Sequence, residues 1–232
     1  MNNIGNNDKK IKVQNIFDSI SKRYDLLNHL LSAGIDIYWR KKALKLTKLN
    51  NNSVLLDVAC GTGDFSIEAR KSGTKKIFGA DLSINMLQHF TEKTDWSKGN
   101  IVQCVAENLP YKNSIFTNII VAFGVRNFYD ILEGFSSFNR VLAENGKVTI
   151  LEFRLPKSKF IRKFYLFYFN KILPLIGRMI SKDEQAYTYL PESVGEFDQN
   201  IDLEKLLLEA NFTSVEKHSL TFGLVQVVIG KK

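Results

Sequence analysis

The feature of this 232-residue sequence that most constrains its fold is a short apolar run that leads through a glycine-rich turn into a helical pattern. The apolar run is Val54–Val58, the turn contains Gly61 and Gly63, and the helical pattern covers Asp64–Lys71. A turn of this kind between a strand and a helix lets a ligand approach the backbone without interference from Cβ atoms. The sequence therefore predicts a ligand-binding turn after the first strand.

Further strand and helix patterns alternate along the chain. Strands are predicted over residues 54–58, 76–80, 101–105, 116–123 and 147–153, with helices over 64–71, 84–93 and 129–142. This alternation implies a parallel sheet with right-handed crossovers. Two later apolar runs, 215–220 and 224–229, are close enough in sequence to form an antiparallel hairpin at the sheet edge. The predicted fold is α/β: a Rossmann-like, mostly parallel, doubly wound sheet with an antiparallel edge hairpin.

The chain shows no internal repeat and no linker rich in proline or glycine, so a single domain over residues 1–232 is predicted. Residues 10–48 have mixed helical spacing and are predicted to form an N-terminal helical cap. Residues 156–200 interrupt the alternation and include a strongly aromatic stretch, which predicts a helical insertion. Residues 1–10 are rich in asparagine and lysine, and we expect them to form a frayed tail.

Composition excludes several classes of protein. The chain has 44% hydrophobic and 24% charged residues, which is typical of a globular protein with a core and excludes disordered and fibrous classes. Its apolar runs fall short of the roughly 18–20 residues needed to span a bilayer. The two cysteines, Cys60 and Cys104, are too few for a disulfide scaffold and favour the cytoplasm. The net charge of +8 fits either an anionic partner or a bias toward lysine and asparagine.

Acidic residues flank the glycine turn. Asp57 precedes Gly61 and Gly63, and Asp64 follows them, so a pyrophosphate would be repelled. The sequence also lacks the Gly-x-x-x-x-Gly-Lys pattern of a phosphate-binding loop. A ligand with a positive group and no phosphate suits this turn, and S-adenosylmethionine, which carries a sulfonium and an ammonium, meets both conditions. We predict that this cofactor binds at Asp57, Gly61 and Gly63.

Four later residues complete the predicted cofactor site. Asp81 directly follows the second predicted strand, where a carboxylate accepts hydrogen bonds from both ribose hydroxyls. The alternative is that Asp81 only caps the next helix, although Ser83 beside it competes for that role. At the end of the third strand, the backbone of Val105 and Ala106 is expected to face the adenine, and Met86 is expected to pack against the adenine ring.

The end of the fourth predicted strand carries the residues expected to act on the methyl acceptor. It reads Ala122-Phe123-Gly124-Val125-Arg126-Asn127, which differs from the Asn/Asp-Pro-Pro-aromatic sequence of methyltransferases that act on nucleobase amines. Neither cysteine has the Pro-Cys context of cytosine C5 methylation. The Arg126-Asn127 pair below an apolar strand predicts an oxyanion in an apolar pocket. The three histidines lack metal-ligand spacing, so no metal site is predicted.

Four groups of sequence strings resemble the ubiquinone/menaquinone biosynthesis C-methyltransferases, the UbiE and MenG group. The resemblance extends from about Phe17 to Lys231. It rests on Phe17-Asp18-Ser19-Ile20 with Tyr24-Asp25-Leu26-Leu27-Asn28 and Trp39-Arg40, on Gly61-Thr62-Gly63-Asp64, on Ala122 to Asn127 with Leu151-Glu152-Phe153, and on Tyr187-x-Tyr189-Leu190-x-x-Ser193 with Leu220-Thr221-x-Gly223. The Tyr-Asp…Asn and Phe-Gly-x-Arg-Asn strings are specific to this group, whereas the glycine loop is common to many methyltransferases.

The resemblance implies a class I S-adenosylmethionine-dependent fold and methylation of a ring carbon of a polyprenyl quinol. It adds Thr62 and Ala122 to the residues expected to contact the cofactor. The implied catalytic residues are Arg126, which would stabilise the ionised ring hydroxyl, and Asn127, which would orient the pair. Candidate proton relays are Tyr24, Asp25 and His29, with Tyr24 as the preferred one and a core aromatic as its alternative role.

The resemblance favours demethylmenaquinol as the substrate and menaquinol as the product. The alternatives are the benzoquinol of ubiquinone biosynthesis, an RNA or protein substrate, and an inactive subunit that only binds the cofactor. The aromatic and basic pattern over residues 160–176 indicates either a core-facing helix or a lid that houses the prenyl tail and contacts an anionic membrane. We expect a cytoplasmic protein bound peripherally to the inner membrane face, without a nucleic-acid partner, and leave a homodimer open.

Overall fold

Seven strands form one sheet in the computed structural model, which describes residues 3–168 and 184–232. They are β1 (Val54–Val58), β2 (Lys76–Asp81), β3 (Ile101–Gln103), β4 (Phe116–Ala122), β5 (Leu142–Phe153), β6 (Ser214–Leu220) and β7 (Val225–Lys231). The strand order is β3-β2-β1-β4-β5-β7-β6. Strands β1 to β5 pair in parallel, and β7 is antiparallel to both β5 and β6. The predicted α/β class and the antiparallel edge pair are confirmed.

Helices precede the sheet, connect its strands and cover both of its faces. In the described part of the chain they are α1 (Asn3–Ile20), α2 (Tyr24–Leu31), α3 (Ile35–Thr47), α4 (Asp64–Lys71), α5 (Ile84–Lys93), α6 (Ile131–Val141), α7 (Lys159–Phe167), α8 (Glu184–Asn200) and α9 (Leu203–Glu209). Helices α7 and α8 fall in the predicted insertion, of which residues 169–183 lie outside the described residues.

Three sequence expectations about boundaries are wrong. The frayed tail expected over residues 1–10 is helical from Asn3 onward. Strand β3 ends at Gln103, two residues early, because a 3-10 turn follows over Ala106–Asn108. Strand β5 begins five residues early, because Leu142 already pairs with the first residue of β4 before residues 143–146 bulge out of register.

The core lies on both faces of the sheet because alternate strand residues point to opposite sides. In β1, Leu55 and Leu56 are both fully buried, yet they belong to different apolar clusters. Leu55 packs with residues of α3 and α4, including Trp39, Ala43 and Phe65. Leu56 packs with residues of α6 and α9, including Phe135, Phe138 and Leu207. This arrangement is the doubly wound architecture that the sequence predicts.

The strand order reverses between β1 and β4, which opens a crevice beyond the carboxyl ends of these strands. The turns that leave β1, β2, β4 and β5 meet at this edge, so residues from distant parts of the sequence converge there. Among the described helices, none is both long enough and apolar enough to cross a membrane.

Candidate active site

Two adjoining cavities lie at the carboxyl edge of the sheet. The first spans about 750 Å³, part of it open to solvent, and is lined by the turns after β1, β2, β3 and β4. The second spans about 1540 Å³, also partly open to solvent, and has a mostly apolar lining. Phe17, Tyr24 and Phe123 belong to the walls of both. The cavities therefore meet at these three aromatic side chains.

The glycine turn lies against helix α5, and the close packing requires glycine. Gly61 and Gly63 have φ angles of 54° and 86°, which favour glycine. A Cβ atom at Gly63 would lie 2.2 Å from the Cδ2 atom of Phe90. Gly61 lines the first cavity, whereas Gly63 does not. The second glycine thus gives the turn its shape, and the first brings the backbone to the cavity.

Asp57 lies behind the turn and does not line either cavity. Its carboxylate accepts a hydrogen bond of 2.7 Å from the hydroxyl of Ser66, in the first turns of α4. Burial raises the pKa of Asp57 to about 7, and the negative charge of Asp81 adds to the increase. The contact with Ser66 joins β1 to α4 and holds the glycine turn between them.

Asp81 ends β2 and lines the first cavity. Its two carboxylate oxygens accept backbone N–H bonds of 2.8 Å from Gly61 and Ser83. Burial raises the pKa of Asp81 to about 6, although these hydrogen bonds act in the opposite direction. A carboxylate has about four acceptor positions, so Asp81 retains acceptor capacity for ligand hydroxyls.

Beyond Asp81, an apolar slot continues the first cavity between the turns that follow β3 and β4. It is lined by Leu82, Met86, Val105, Ala106, Ala122 and Phe128. Glu107 holds its two sides together, because its Oε1 atom accepts backbone bonds of 2.8 Å from Tyr129 and 3.1 Å from Asp130. An acid beside a flat apolar slot suits the ribose and adenine of an adenosyl group.

Helix α1, in the predicted N-terminal cap, forms a wall of the first cavity through residues that the sequence did not assign to the site. Its residues Lys10, Val13, Gln14 and Phe17 line the cavity. The hydroxyl of Ser83 donates to the carboxylate of Asp18 in α1, and the Lys9 ammonium donates to the carbonyl of Phe128. These contacts join the helix to the turns after β2 and β4, so α1 covers the cofactor cavity.

Thr62 and Asp25 form a second contact between the N-terminal helices and the glycine turn. The Thr62 hydroxyl donates to the Asp25 carboxylate, which also pairs with the ammonium of Lys93. Neither Thr62 nor Asp25 lines a cavity. The structure therefore places Thr62 in contact with helix α2, outside the lining of both cavities, and it places Asp25, one of the candidate relays, in an ion pair.

Arg126 lies in the turn after β4 and lines the second cavity with 9% of its surface exposed. Its Nη1 atom donates to the carbonyl of Phe123 and, at 2.9 Å, to the Oε1 atom of Glu152. Its Nε atom donates to the Ser193 hydroxyl at 3.3 Å. None of these bonds uses Nη2. The guanidinium is thus fixed in the cavity wall with donor capacity left over.

Glu152 was missed as a functional residue, although the sequence contains a signal for it. The residue is fully buried in β5 and pairs with Arg126. An acid inside the apolar run Val148 to Phe153 is unusual, because a buried carboxylate requires a partner. That partner is 26 positions away, and the pairing of β4 with β5 brings the two together.

Asn127 and Tyr24 lie where the cavities meet. Asn127 lines the first cavity, and its side-chain oxygen accepts a bond of 2.8 Å from the hydroxyl of Tyr189, which lines the second. Tyr24 lines both cavities and hydrogen-bonds to the side chain of Asn28. Burial raises the pKa of Tyr24, although the Asn28 bond and the charge of Arg126 oppose the increase. Tyr24 is therefore a neutral hydroxyl near pH 7.

His29, the remaining candidate relay, lies outside both cavities in a charged cluster. Its Nδ1 atom is 2.8 Å from Asp36 Oδ2, and its Nε2 atom is 3.7 Å from Asp64 Oδ2. The ligand atoms of these three residues lie within 4.8 Å of one another, which is close enough to hold a metal ion. The guanidinium of Arg40 already pairs with Asp36, so a fixed cation balances the carboxylates.

Comparisons with known proteins agree with this geometry. The model of the ubiE/COQ5 methyltransferase family matches residues 4–232. A protein of Geotalea daltonii named ubiquinone/menaquinone biosynthesis C-methyltransferase UbiE is 40% identical over 231 residues, 97% of this chain and 98% of that one. A demethylmenaquinone methyltransferase of Chlorobaculum tepidum is 40% identical over 214 residues, 90% of this chain and 88% of that one.

Solved structures extend the comparison to the fold. A SAM-dependent methyltransferase from Thermotoga maritima superposes with a TM-score of 0.64, covering 95% of this chain and 99% of that chain. The two sequences are 17% identical, so the likeness concerns the fold alone.

Proposed function

The chain belongs to the ubiE/COQ5 methyltransferase family, and from this membership we propose that its methyl acceptor is demethylmenaquinol and its product menaquinol. The enzyme is an S-adenosylmethionine-dependent C-methyltransferase of quinone biosynthesis. The observation that carries the proposal is the apolar cavity of about 1540 Å³ that adjoins the cofactor cavity. The menaquinone branch is supported by the relatives' names, since the Chlorobaculum protein is named for menaquinone alone. Residues 1–232 act as one domain, because both cavities combine walls from the N-terminal helices and the sheet.

The residues of the first cavity fit S-adenosylmethionine, which supplies the methyl group. Asp81 accepts hydrogen bonds from the ribose hydroxyls. The apolar slot of Met86, Val105, Ala106 and Ala122 receives the adenine, and the backbone at Gly61 faces the ligand. Asp57, Thr62 and Gly63 act indirectly, by holding the turn in its conformation.

The residues of the second cavity make a ring carbon nucleophilic. A phenolic hydroxyl has a pKa of about 10, so roughly 4 kcal/mol is needed to ionise it near pH 7. Arg126 stabilises the resulting oxyanion through charge-assisted hydrogen bonds, and its pairing with Glu152 and Ser193 fixes it in place beforehand. A guanidinium does not accept the hydroxyl proton, so this proton passes to solvent water, directly or through the Tyr24 hydroxyl, which accepts one proton as it donates another. After the ring carbon has gained the methyl group, it releases its own hydrogen as a proton, the ring oxygen is reprotonated and S-adenosylhomocysteine leaves, so that one proton is released in total.

The junction of the cavities aligns the reacting groups. Phe17, Tyr24 and Phe123 surround the region where ring carbon and methyl group meet, and they exclude water from it. Asn127 contacts Tyr189 across this region and holds the wall in place. Alignment of this kind supplies a large part of the rate enhancement of a displacement reaction.

Parallel turnover measurements test the substrate. Purified enzyme is given S-adenosylmethionine with a short-tailed demethylmenaquinol or the corresponding demethylated benzoquinol under reducing, anaerobic conditions. We expect kcat/KM to be at least tenfold higher for the naphthoquinol. Equal or reversed values would contradict the menaquinone assignment, and methyl transfer to bulk RNA instead of either quinol would contradict the substrate class.

The role of Arg126 is tested with Arg126→Lys, which keeps a positive charge beside Glu152 but loses the planar fork of donors. We expect kcat to fall by about 10²–10³, the cost of removing a preorganised oxyanion donor. The affinity for S-adenosylhomocysteine should stay within threefold of the original value. Arg140→Lys is the matched control, because Arg140 donates to the carbonyls of Leu109 and Tyr111 and lines neither cavity. An equal loss of turnover and cofactor affinity in Arg126→Lys would contradict the role.

We also propose that helix α7 binds the surface of an anionic membrane. Phe160, Phe164 and Phe167 are 72%, 60% and 59% exposed, and Arg162 and Lys163 are exposed beside them. Aromatic and basic residues together favour the interface of an anionic bilayer. Phe164 also lines the second cavity, so the prenyl tail of a membrane-embedded quinol has a short path to the site.

Vesicle flotation tests this surface. The enzyme is expected to float with vesicles that contain anionic phospholipid at low salt and to be released by high salt. Phe160→Ser combined with Phe167→Ser should abolish flotation, whereas Leu208→Ser, at an exposed leucine of α9, should not. Retention of the unmodified protein in the lower fraction at low salt would overturn the proposal.

A further inference from the structure

We propose that Arg40 forms a second oxygen-binding site in the quinol cavity and receives the ring hydroxyl para to the one that Arg126 stabilises. This inference rests on the proposed function, since it assumes that a quinol occupies the cavity. In this role, Arg40 orients the quinol ring and thereby determines which ring carbon is methylated.

The unpaired donor of Arg40 is the first support. Arg40 lies in α3, lines the second cavity and is only 5% exposed. Its Nη1 atom donates to Asp36, but its Nε atom is buried and has no hydrogen-bond partner among the described residues. A buried N–H group without a partner is destabilising, and native structures retain few of them. Because Arg40 lines the cavity, a ligand oxygen that reached this donor would satisfy it.

The two arginines of the cavity are held in the same way. Each pairs with a buried carboxylate: Arg126 with Glu152, and Arg40 with Asp36. The Cζ atom of Arg126 lies 5.8 Å from the centroid of the Phe153 ring. The Cζ atom of Arg40 lies 5.9 Å from the centroid of the Phe123 ring.

These two rings stack on each other with centroids 4.4 Å apart. Phe123 and Phe153 both line the second cavity, as do the two arginines. A mostly apolar cavity therefore offers two guanidinium groups beside one aromatic pair. A quinol presents the complementary pattern, a flat apolar ring with an oxygen at each end.

Other polar groups of this wall are already engaged with protein partners. The Ser32 hydroxyl donates to Asp36 Oδ1 at 2.7 Å. The indole N–H of Trp39 donates to the Thr221 hydroxyl at 2.7 Å. In contrast to Ser32 and Trp39, Arg40 has a buried hydrogen-bond donor, its Nε atom, without a partner among the described residues.

Asp36 keeps Arg40 in place as a hydrogen-bond donor. Burial alone would raise the pKa of Asp36, but hydrogen bonds from Ser32 and Arg40 outweigh burial and hold it below its ordinary value. The carboxylate therefore stays ionised near pH 7 and anchors the guanidinium. An anchored guanidinium donates to a hydroxyl oxygen without losing side-chain freedom on binding.

A substrate pair tests the inference. One compound is a short-tailed 2-prenyl-1,4-naphthoquinol, and the other lacks only the hydroxyl assigned to Arg40. The original enzyme should prefer the quinol by 10- to 100-fold in kcat/KM. Arg40→Lys keeps a charge beside Asp36 but loses the Nε donor, so its preference should fall to threefold or less, mainly through a higher KM for the quinol.

Controls separate this effect from a general disturbance. Arg140→Lys, which lies away from both cavities, should keep the original preference. The affinity for S-adenosylhomocysteine should stay within threefold in every variant. If Arg40→Lys does not fold, the Asp36→Asn variant tests the inference instead. Because this substitution weakens the pairing that holds the guanidinium of Arg40, the preference for the quinol should fall at least threefold.

Two results would overturn the inference: an equal loss of kcat/KM on both compounds in Arg40→Lys, or an unchanged preference in Asp36→Asn. Failure of the proposed function is a different result, since the original enzyme would then methylate neither compound.

Discussion

Asp81 makes cofactor binding depend on pH. Its pKa of about 6 lies above the value of about 4 for an exposed aspartate, so ionisation destabilises the free protein as the pH rises between these values. Ribose hydroxyls donate to the ionised form and favour it. The affinity for S-adenosylhomocysteine should therefore rise as the pH passes through about 6 and level off above 7, as measured by calorimetry between pH 5 and 8.

Substitutions at the two buried acids, Asp81 and Asp57, identify which of them causes the pH dependence of cofactor binding. Asp81→Asn should remove the pH step and weaken binding about 30-fold, which corresponds to about 2 kcal/mol. Asp57→Asn should keep the step, because Asp57 does not line the cavity and contacts Ser66 instead. A flat pH profile in the original protein would contradict this assignment.

The buried pair of Arg126 and Glu152 is expected to matter for stability as well as catalysis. Glu152→Gln leaves the guanidinium buried without its counter-charge, which should lower the free energy of unfolding by about 3 kcal/mol. Replacing both residues by methionine removes the charge imbalance and should recover at least half of that loss. Urea unfolding measures both values, and a Glu152→Gln protein as stable as the original would rule out this account.

At the scale of elements, strands were easier to predict from the sequence than the helices around the site. The central strands β1 and β4 are buried on both faces, so their apolar runs stand out, and the turns after β1 and β2 carry glycine and aspartate at the cofactor cavity. Helix α1 gives a weak signal because its sequence is rich in asparagine and lysine. Its position depends on contacts with distant turns, such as Asp18 with Ser83, which no local pattern reveals.

The contact between helix α2 and the glycine turn should control how fast the cofactor leaves. Asp25→Ala removes the partner of Thr62 and one of the two carboxylates that pair with Lys93, the other being Asp64, so the N-terminal helices should open more often. We expect the dissociation rate of S-adenosylhomocysteine, measured by stopped flow, to rise about tenfold, equivalent to about 1.4 kcal/mol, the strength of a charged hydrogen bond.

Asp95→Ala is the matched control for this contact, because within the described residues the exposed Asp95 pairs with Lys98, three positions away. Its dissociation rate should equal that of the original protein. Unchanged rates in both variants would show that the N-terminal helices do not control release.

At the scale of the whole molecule, each cavity is assembled from most of the chain. The first takes residues from Lys10 to Tyr129, and the second from Ile16 to Leu224. Sequence motifs identify single walls, such as the turn at Gly61, but they do not show that one cavity adjoins the other. That information lies in the sheet order and in the packing of α1 and α2 over the strand ends.

The shared wall of the cavities predicts that the two substrates bind cooperatively. A ligand in the first cavity fixes Phe17, Tyr24 and Phe123, and the second cavity uses the same side chains. Binding of the second ligand then costs less conformational entropy, because these side chains are already ordered. S-adenosylhomocysteine should lower the Kd of a quinol analogue about tenfold, and by linkage the analogue should lower the Kd of S-adenosylhomocysteine by the same factor.

Fluorescence titrations in both orders measure this coupling. Tyr24→Ala should reduce it to less than threefold, because the variant lacks one of the three side chains that line both cavities. Arg140→Lys, away from both cavities, should leave it unchanged. Identical affinities with and without the first ligand would mean that the aromatic wall is already rigid in the free enzyme, so that the cavities adjoin without energetic coupling.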